Sequence, residues 1–456
     1  MNRRSLLAAV AANALLTGTV TRAAMPPKRP PNFIVVLCDD LGYGDVSIYG
    51  PDGLKTPNVE KMAREGVVLT DYYAPANLCT PSRAGLLTGR YPVRTGLGFE
   101  VIMQQDDRGL SPSEMTIPKA LAPTYVSGLF GKWHLGHLGP AWPPTKHGFD
   151  TFFGIPYSHD MSPLALYEAH AGSNEVTKSA VDYPQLQQQF YDHAERFIEA
   201  HKDRPFFVEL ALSAPHLPEH PHAGFDTKTD AGPYGAVVAE IDSIVGRLMA
   251  KLRALKLEND TVVIFTSDNG PWYEGSPGWL RERKGGGGYD GGYRVPFVAW
   301  APGRIPQGRR VSSMVMGIDL LPTFRAMAGL APLSGVELDG RDITAVLTKG
   351  SASPHEELVL FDNEVPVGIR TQDWKYLDTL YYRAVRMPIG LLGYEELYDE
   401  RSRKAENYSV AENHPEIVKA MKAQLAMAKK TFAPFKHAEI PPAFKALQGQ
   451  LAHIQD

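Results

Sequence analysis

Cysteine is scarce in this sequence, and neither sign of charge dominates. Only Cys38 and Cys79 occur among 456 residues, which excludes a disulfide-rich framework. The 47 basic and 51 acidic residues give a formal charge of -4, and the basic residues are dispersed, so we expect no nucleic-acid partner. Beyond the N-terminal segment we find no apolar run of membrane length and no internal repeat. These absences leave a large globular enzyme or binding protein.

The N-terminal segment has the features of an export signal. Arg3 and Arg4 precede an apolar run over residues 6–16, and small and polar residues follow up to Ala24. This order predicts a signal peptide over residues 1–23, because the apolar run is too short to span a bilayer. We expect a periplasmic or secreted protein with no membrane-spanning segment after processing. The arginine pair favours the twin-arginine route, and the general secretory route is the alternative.

The rest of the chain alternates apolar strands with helices. Continuous apolar runs are typical of central parallel strands that are buried on both faces. The predicted strands are 33–38, 67–72, 125–130, 205–212, 261–266 and 295–300, with helices that include 57–65, 183–201 and 234–255. This alternation predicts an α/β fold with a doubly wound, mostly parallel sheet.

The sequence pattern changes near residue 350. Short strands are predicted at 358–361, 367–370 and 374–378, and a helix at 415–430. Closely spaced strands followed by one helix indicate a small antiparallel sheet with a covering helix. We therefore predict a catalytic domain over residues 24–350 and a C-terminal α+β subdomain over residues 351–456.

Cys79 lies in the stretch Asn-Leu-Cys-Thr-Pro-Ser-Arg, where Pro81 suits the first turn of a helix. A thiol at a helix N-terminus faces free backbone N–H groups, and Arg83 adds a guanidinium group suited to a tetrahedral oxyanion. This pattern predicts a reactive, anion-facing cysteine; the alternative is a buried structural cysteine before a helix. Cys38 ends an apolar run and is predicted to be a buried strand residue. We expect no disulfide, since pairing would consume Cys79.

Two pairs of acid or amide side chains follow predicted strands. Asp39 and Asp40 come after the first strand, and Asp268 and Asn269 follow the strand at 261–266. Neighbouring residues in a strand point to opposite faces, so both members of a pair face one point only where the strand has ended. Several hard oxygen donors, with no histidine cluster beside them, suit calcium or magnesium. Each pair alone is also explained by turn formation.

Four more segments carry candidate site residues. The hexapeptide Gly-Lys-Trp-His-Leu-Gly over residues 131–136 follows a predicted strand, and a separate segment, residues 154–160, carries Ser158 and His159. His159 on its own is expected to be a surface residue. A further histidine follows the strand at 205–212, and a lysine precedes a run of four glycines. The candidates from the four segments are Lys132 and His134, Ser158, His216 in preference to the nearby His220 and His222, and Lys284.

Together, these motifs resemble the type I, formylglycine-dependent sulfatase family, most nearly its arylsulfatase A type. The resemblance covers about residues 31–375. It implies an alkaline-phosphatase-like fold, with a large mixed, mostly parallel sheet between helices and a small C-terminal antiparallel sheet with a helix. It also implies that a formylglycine-generating maturation enzyme oxidises Cys79 to an aldehyde, whose hydrate is the nucleophile that attacks sulfate monoesters of phenols, sugars or glycolipids.

The resemblance also implies a role for each candidate. Lys132 binds sulfate, His134 acts as a base on formylglycine, and Ser158 contacts sulfate. His216 and Lys284 protonate the leaving group, although the spacing after Lys284 is one residue longer than the family motif. The divalent cation, usually calcium, is held by Asp39, Asp40, Asp268, Asn269 and the modified Cys79, and it neutralises charge together with Arg83, Lys132 and Lys284.

Two alternative functions remain. One is a phosphonate or phosphodiester hydrolase that uses the same formylglycine. The other is an inactive protein that binds sulfated glycans and keeps Cys79 as a thiol. We expect substrate specificity to depend on loops 97–115, 161–182 and 217–233 and on the C-terminal subdomain, and the sequence does not name the natural ester.

Overall fold

The computed structural model describes residues 29–437 except 51, 383–384, 390–392 and 403–404. The predicted signal peptide at residues 1–23 lies outside this range. The helices are α1 Pro57–Arg64, α2 Cys79–Thr88, α3 Ile117–Leu121, α4 Leu186–Ala200, α5 Gly232–Ala254, α6 Asp290–Tyr293, α7 Leu320–Met327, α8 Thr344–Lys349 and α9 Pro415–Phe432. Within the described residues, none of these helices has both the length and the apolar character needed to cross a membrane.

A ten-stranded sheet forms the centre of the fold. Its strands are β1 Asn32–Asp39, β2 Val67–Leu69, β4 Val126–Lys132, β5 Thr151–Ile155, β6 Leu166–His170, β7 Val176–Ser179, β8 Phe206–Pro215, β9 Thr261–Ser267, β10 Phe297–Trp300 and β11 Arg309–Val311. The order across the sheet is β11-β2-β10-β9-β1-β8-β4-β5-β6-β7. The five strands from β9 to β5 in this order are parallel to one another, so their carboxyl ends lie at one edge.

Alternate residues of β1 enter two apolar cores, one on each face of this sheet. Phe33, Val35 and Leu37 belong to the core that α2, α3, α7 and α8 cover, and the alternate residues, which include Cys38, belong to the core that α1, α4 and α5 cover. This double burial explains the continuous apolar sequence of β1. The predictions of a mostly parallel sheet with helices on both faces and of Cys38 as a buried strand residue are confirmed.

The C-terminal region forms a second, antiparallel sheet. Its strands are β13 Leu358–Asp362, β14 Val365–Arg370, β15 Trp374–Leu377 and β18 Glu396–Asp399, and α9 packs against β14. The two-stranded pairs are β3 Tyr72–Tyr73 with β12 Val315–Met316, and β16 Thr379–Tyr382 with β17 Val385–Pro388. The predicted small antiparallel sheet with a covering helix is therefore confirmed. The boundary between domains at residue 350 stays a prediction.

The predicted strand at 67–72 is wrong in one respect, because it is two strands in different sheets. Thr70 and Asp71 separate β2 from β3. The Asp71 carboxylate pairs with the guanidinium groups of Arg294 and Arg370, 3.4 and 3.1 Å away, so its side chain is committed to distant partners. These partners explain a break that the local apolar pattern does not indicate.

Candidate functional site

The candidate site lies at the edge where the parallel strands end. β1 ends at Asp39, and Asp40 has a φ of 66°, in the left-handed region. β9 ends one residue before Asp268, whose backbone N–H donates to the Cys38 carbonyl. The first pair therefore lies across the end of β1, and the second pair, Asp268 and Asn269, follows the end of β9. Neighbouring side chains can face one point at such positions, because the alternation of the strand has ended. Ligand sites in α/β sheets commonly occupy such edges.

Three carboxylates and one thiol form a buried cluster. Ligand atoms of Asp39, Asp40, Cys79 and Asp268 all lie within 4.8 Å of one another. The Cys79 Sγ is 3.5 Å from Asp39 Oδ1 and 3.8 Å from Asp40 Oδ1. The Asn269 Nδ2 donates to Asp40 Oδ1 at 2.7 Å, while its Oδ1 is buried and accepts no hydrogen bond from the described residues. A set of buried hard oxygen donors, one of them unpaired, fits a divalent cation.

Three cationic side chains face the carboxylates. The Lys132 Nζ is 2.7 Å from Asp39 Oδ2, and the Lys284 Nζ is 2.7 Å from Asp40 Oδ2. The Arg83 guanidinium contacts Asp268 Oδ2 through Nε at 2.9 Å and Nη2 at 2.8 Å.

The balance of burial and charge differs between the two aspartates at the centre. Burial alone would raise the pKa of Asp39, but Lys132, His216 and Arg83 outweigh it and hold the pKa well below its usual range. Burial raises the pKa of Asp268 even though Arg83 opposes the rise. The site therefore holds ionised carboxylate next to fixed cations in a water-poor environment.

Cys79 is the first residue of α2, as the helix-start pattern predicts. The expectation of a reactive, anion-facing residue at this position stays a prediction. Burial raises the pKa of Cys79 well above its ordinary value, and the lowering effects of Lys132 and Lys284 do not offset it. A thiolate is the nucleophilic form of cysteine, so the buried thiol is a poor nucleophile. Cys38 and Cys79 are both free.

His134 follows β4 and presents one unpaired ring nitrogen. Its Nε2 lies 3.0 Å from the Ile102 carbonyl, which fixes a proton on Nε2 and leaves Nδ1 as a buried acceptor without a partner in the described structure. Burial, Lys132 and Arg83 lower the pKa of His134 well below its ordinary value. The ring is therefore neutral, as a base requires.

Thr80 is a positioning residue that the sequence reasoning missed. Its hydroxyl donates to the His134 carbonyl at 2.9 Å and accepts the Ile102 N–H at 3.1 Å. The Thr80 side chain therefore connects the first turn of α2 both to His134 and to Ile102, the residue whose carbonyl contacts the His134 ring. Its only signal in the sequence is its place directly after Cys79.

His216 is the histidine of its segment that reaches the cluster. Its Nε2 lies 3.6 Å from Asp40 Oδ2, and its Nδ1 donates to the Leu217 carbonyl at 2.6 Å. His220 and His222 have no described contact with the carboxylates: His220 packs on Tyr183 and His159, and the His222 Nδ1 accepts the Gly224 N–H. The geometry thus brings His216, rather than its two neighbours, to the carboxylates.

The expectation of a surface position for His159 is wrong, because its ring is buried beneath the segment that carries His216. The His159 Nε2 bonds the Pro218 carbonyl at 3.0 Å, and its ring centroid is 5.6 Å from that of His216. Burial, with a contribution from His216, lowers the pKa of His159 to about 4. The neighbouring Ser158 is also buried, and its Oγ has no partner within the described part of the chain.

Asn77 holds the loop that carries Lys284. The Asn77 carbonyl accepts the Gly285 N–H at 3.0 Å, and its Nδ2 donates to the Gly287 carbonyl at 2.8 Å. Gly285 and Gly287 have φ values of 72° and 65°, which favour glycine, and the loop still delivers the Lys284 Nζ to Asp40. Sequence reasoning assigned Asn77 no role.

Known proteins resemble this chain over most of its length. The sulfatase family model matches residues 31–330. Arylsulfatase A from Homo sapiens is 36% identical and aligns over 89% of this chain and 89% of its own length. N-acetylgalactosamine-6-sulfatase from Canis lupus familiaris is 36% identical over 71% of this chain and 67% of its own. The crystal structure of the PsFucS1 sulfatase from Pseudoalteromonas sp. superposes with a TM-score of 0.79 and 28% identity, covering 88% of this chain and 91% of that one. The chain therefore belongs to the sulfatase family and is a sulfuric ester hydrolase.

Proposed function

We propose that this enzyme hydrolyses sulfate monoesters with a formylglycine made from Cys79 and a divalent cation, calcium with magnesium as the alternative. The observation that carries the proposal is the position of the Cys79 Sγ, which is buried among the Asp39, Asp40 and Asp268 carboxylates. A buried thiol with a raised pKa has little use as a nucleophile, whereas a hydrated aldehyde in its place supplies an oxygen nucleophile.

Asp39, Asp40, Asp268 and Asn269 would hold the cation, which would supply positive charge to the sulfate and to the nucleophilic oxygen. The unpaired Oδ1 of Asn269 and the contact of Cys79 with both neighbouring aspartates support this assignment. The cation site and the modified residue share the same carboxylates. Loss of either group should therefore impair the same step.

The cationic side chains would bind the anionic substrate. Sulfate esters resist attack because they repel nucleophiles, so fixed positive charge in a dry site lowers the barrier. The ammonium groups of Lys132 and Lys284 each face one carboxylate oxygen and would turn to sulfate oxygens. Arg83 holds Asp268 in place through two contacts, and the buried, unpaired Oγ of Ser158 would donate to sulfate.

Two histidines would handle the protons. His216 would donate to the departing alcohol oxygen from Nε2, which lies 3.6 Å from Asp40 Oδ2. Lys284 would assist that donation. His134 would accept a proton at Nδ1, the nitrogen that its contact with Ile102 leaves free.

The N-terminal signal would place the enzyme in the periplasm or outside the cell, through the twin-arginine route. A maturation enzyme that generates formylglycine would be a required partner. Residues 24–350 would form the catalytic domain, and residues 351–456 would form the C-terminal subdomain.

The test combines mass spectrometry with turnover. Protein from the extracytoplasmic fraction of its own host should carry an aldehyde at residue 79, and the Cys38 peptide should keep its thiol as an internal control. The matured protein should release 4-nitrophenol from 4-nitrophenyl sulfate faster than from the matching phenylphosphonate ester. The Cys79→Ala variant should release no 4-nitrophenol from the sulfate. Faster phosphonate turnover would favour the phosphonate hydrolase. An unmodified thiol with sulfate-ester binding and no turnover would favour the binding protein.

A further inference from the structure

Two exposed aromatic side chains lie on the loop between Asn269 and Lys284. Trp272 is 41% exposed and Tyr273 is 74% exposed, and their ring centroids are 4.8 Å apart in an edge-to-face arrangement. Large aromatic side chains lose favourable burial when they stay in water, so an exposed adjacent pair beside a catalytic site indicates a ligand contact.

The backbone of this loop is anchored on both sides. The Pro271 carbonyl accepts the Lys284 N–H at 3.0 Å, and the Arg283 Nη1 donates to the Trp272 carbonyl at 2.8 Å. The Arg283 guanidinium also lies 5.7 Å from the centre of the Tyr273 ring. The two rings are therefore presented to solvent from a fixed backbone that is bonded to the residue carrying the catalytic ammonium group.

Another exposed tryptophan on the same loop already has partners. The Trp279 ring lies 5.2 Å from the Arg294 guanidinium and 6.4 Å from the Tyr43 ring. Trp272 has Tyr273 as its ring partner in the described structure, so its remaining surface is available to a ligand.

Glu274, the next residue, adds a carboxylate with one unpaired oxygen. Its Oε1 is shielded from solvent and has no hydrogen-bond partner among the described residues. Burial raises the pKa of Glu274, its own backbone N–H lowers it, and the Asp40 carboxylate raises it further. The loop that carries Glu274 packs on the turn that follows Asp40, where the Gly44 N–H donates to the Ser276 carbonyl at 2.9 Å, so Glu274 belongs to a segment held beside the candidate cation site.

We propose that Trp272, Tyr273 and Glu274 form the subsite for the alcohol part of the ester, and that this alcohol is a neutral sugar. The C–H face of a sugar ring packs on an aromatic ring, and its hydroxyl groups donate to the shielded carboxylate. A purely apolar alcohol would leave the Glu274 Oε1 unpaired, at a desolvation cost. A second anionic group on the sugar would meet Glu219 and Glu274. This assignment rests on the proposed function, because it takes His216 as the group next to the leaving oxygen.

The test measures binding apart from turnover. The full-length Cys79→Ala variant, loaded with calcium, is titrated calorimetrically with the regioisomeric monosulfates of galactose and glucose and with 4-nitrophenyl sulfate. At least one hexose monosulfate should bind. Adding Glu274→Gln should lower the affinity for that sugar about tenfold, because a charge-assisted hydrogen bond is lost. The affinity for 4-nitrophenyl sulfate should fall far less, because that ligand has no hydroxyl group to bond Glu274. Trp272→Ala should weaken both ligands, and Trp272→Phe should restore most of the binding.

Tyr408→Ala is the matched control, because Tyr408 is as exposed as Tyr273 but belongs to the C-terminal region. It should leave both affinities unchanged. The sugar subsite is overturned if Glu274→Gln lowers the affinities for sugar and aryl ligands equally. It is also overturned if 4-nitrophenyl sulfate binds and none of the hexose monosulfates does. If the matured enzyme cleaves no sulfate ester, the proposed function fails, and the same titrations still decide whether the subsite binds sugars.

Discussion

The buried pair of Lys132 and Asp39 allows a direct test of the cation site through stability. Both side chains are fully buried, and the Nζ to Oδ2 distance is 2.7 Å. Lys132→Met removes the charge with little change in shape, and it leaves Asp39 with the Arg83 Nη2 at 3.4 Å as its nearest remaining cation. Breaking a buried ion pair in this way costs about 3–5 kcal/mol.

Calcium should reduce that cost. A divalent cation held by the same carboxylates replaces the lost positive charge, so we expect the penalty to fall to about 1–2 kcal/mol at saturating calcium. At about 2.1 cal/mol/K per residue, unfolding this chain has an entropy near 1 kcal/mol/K, so each kcal/mol changes the Tm by about 1 °C. The variant should lose about 3–5 °C in chelator and about 1–2 °C in calcium.

Lys375→Met is the matched control for this measurement. Lys375 is equally buried and pairs with Asp290 at the same 2.7 Å and also with Glu406, but it lies in the C-terminal sheet, away from the Asp39, Asp40 and Asp268 carboxylates. Differential scanning calorimetry of both variants and the parent, with chelator and with calcium, gives the comparison. The reasoning is refuted if calcium rescues both variants equally, or if it rescues neither.

Three further predictions test other parts of the site and core. Under the proposed mechanism the hydrated formylglycine has two hydroxyl groups, one that attacks sulfur and one whose deprotonation releases sulfate. Cys79→Ser keeps only the first, so mass spectrometry should find the variant sulfated, and turnover at the parent rate would contradict the proposed mechanism. Burial raises the pKa of Glu209 from 4.5 in the unfolded chain to about 7 in the folded protein. Between these pH values the folded protein holds a proton that the unfolded chain has released, so the free energy of unfolding falls as the pH rises from 4.5 to 7. Glu209→Gln should remove this loss, gaining about 3 kcal/mol at pH 8 and little at pH 4 in thermal melts, and a pH-independent gain would exclude this cause. Asn77→Ala removes one of the two bonds to the Lys284 loop and should lower kcat/KM about fivefold without a large change in Tm, whereas an unchanged kcat/KM would show that the loop does not need it.

The sequence indicates the centre of this fold well because its signals there are local. β1 is buried on both faces, so its apolar run is continuous, and the polar residues that follow it mark the strand end. The same holds for β8 and β9. Parallel strands place such ends at one edge, and that rule brings Asp39 near Asp268 without any knowledge of long-range contacts.

The sequence fails where distant packing decides the structure. The edge strand β7 is mostly exposed and β6 is only partly buried, so neither has the apolar run of a central strand, and the sequence pattern predicts neither. His159 is buried because the segment after β8 folds over it. The high pKa of Cys79 has the same origin: a helix N-terminus favours a thiolate, but burial by the surrounding strand ends opposes it and prevails.

The C-terminal sheet takes part in forming the candidate site, although every predicted site residue precedes residue 350. The Arg281 Nη1 donates to the Tyr398 hydroxyl and to the Glu406 carbonyl, each at 2.9 Å. Arg281 lies three residues before Lys284, and its own carbonyl accepts the Gly291 N–H. The loop that delivers Lys284 is therefore fixed at one end by Asn77, beside Cys79, and at the other by the C-terminal region. A boundary at residue 350 separates two sheets, but it does not separate the site from the groups that hold Lys284 in place.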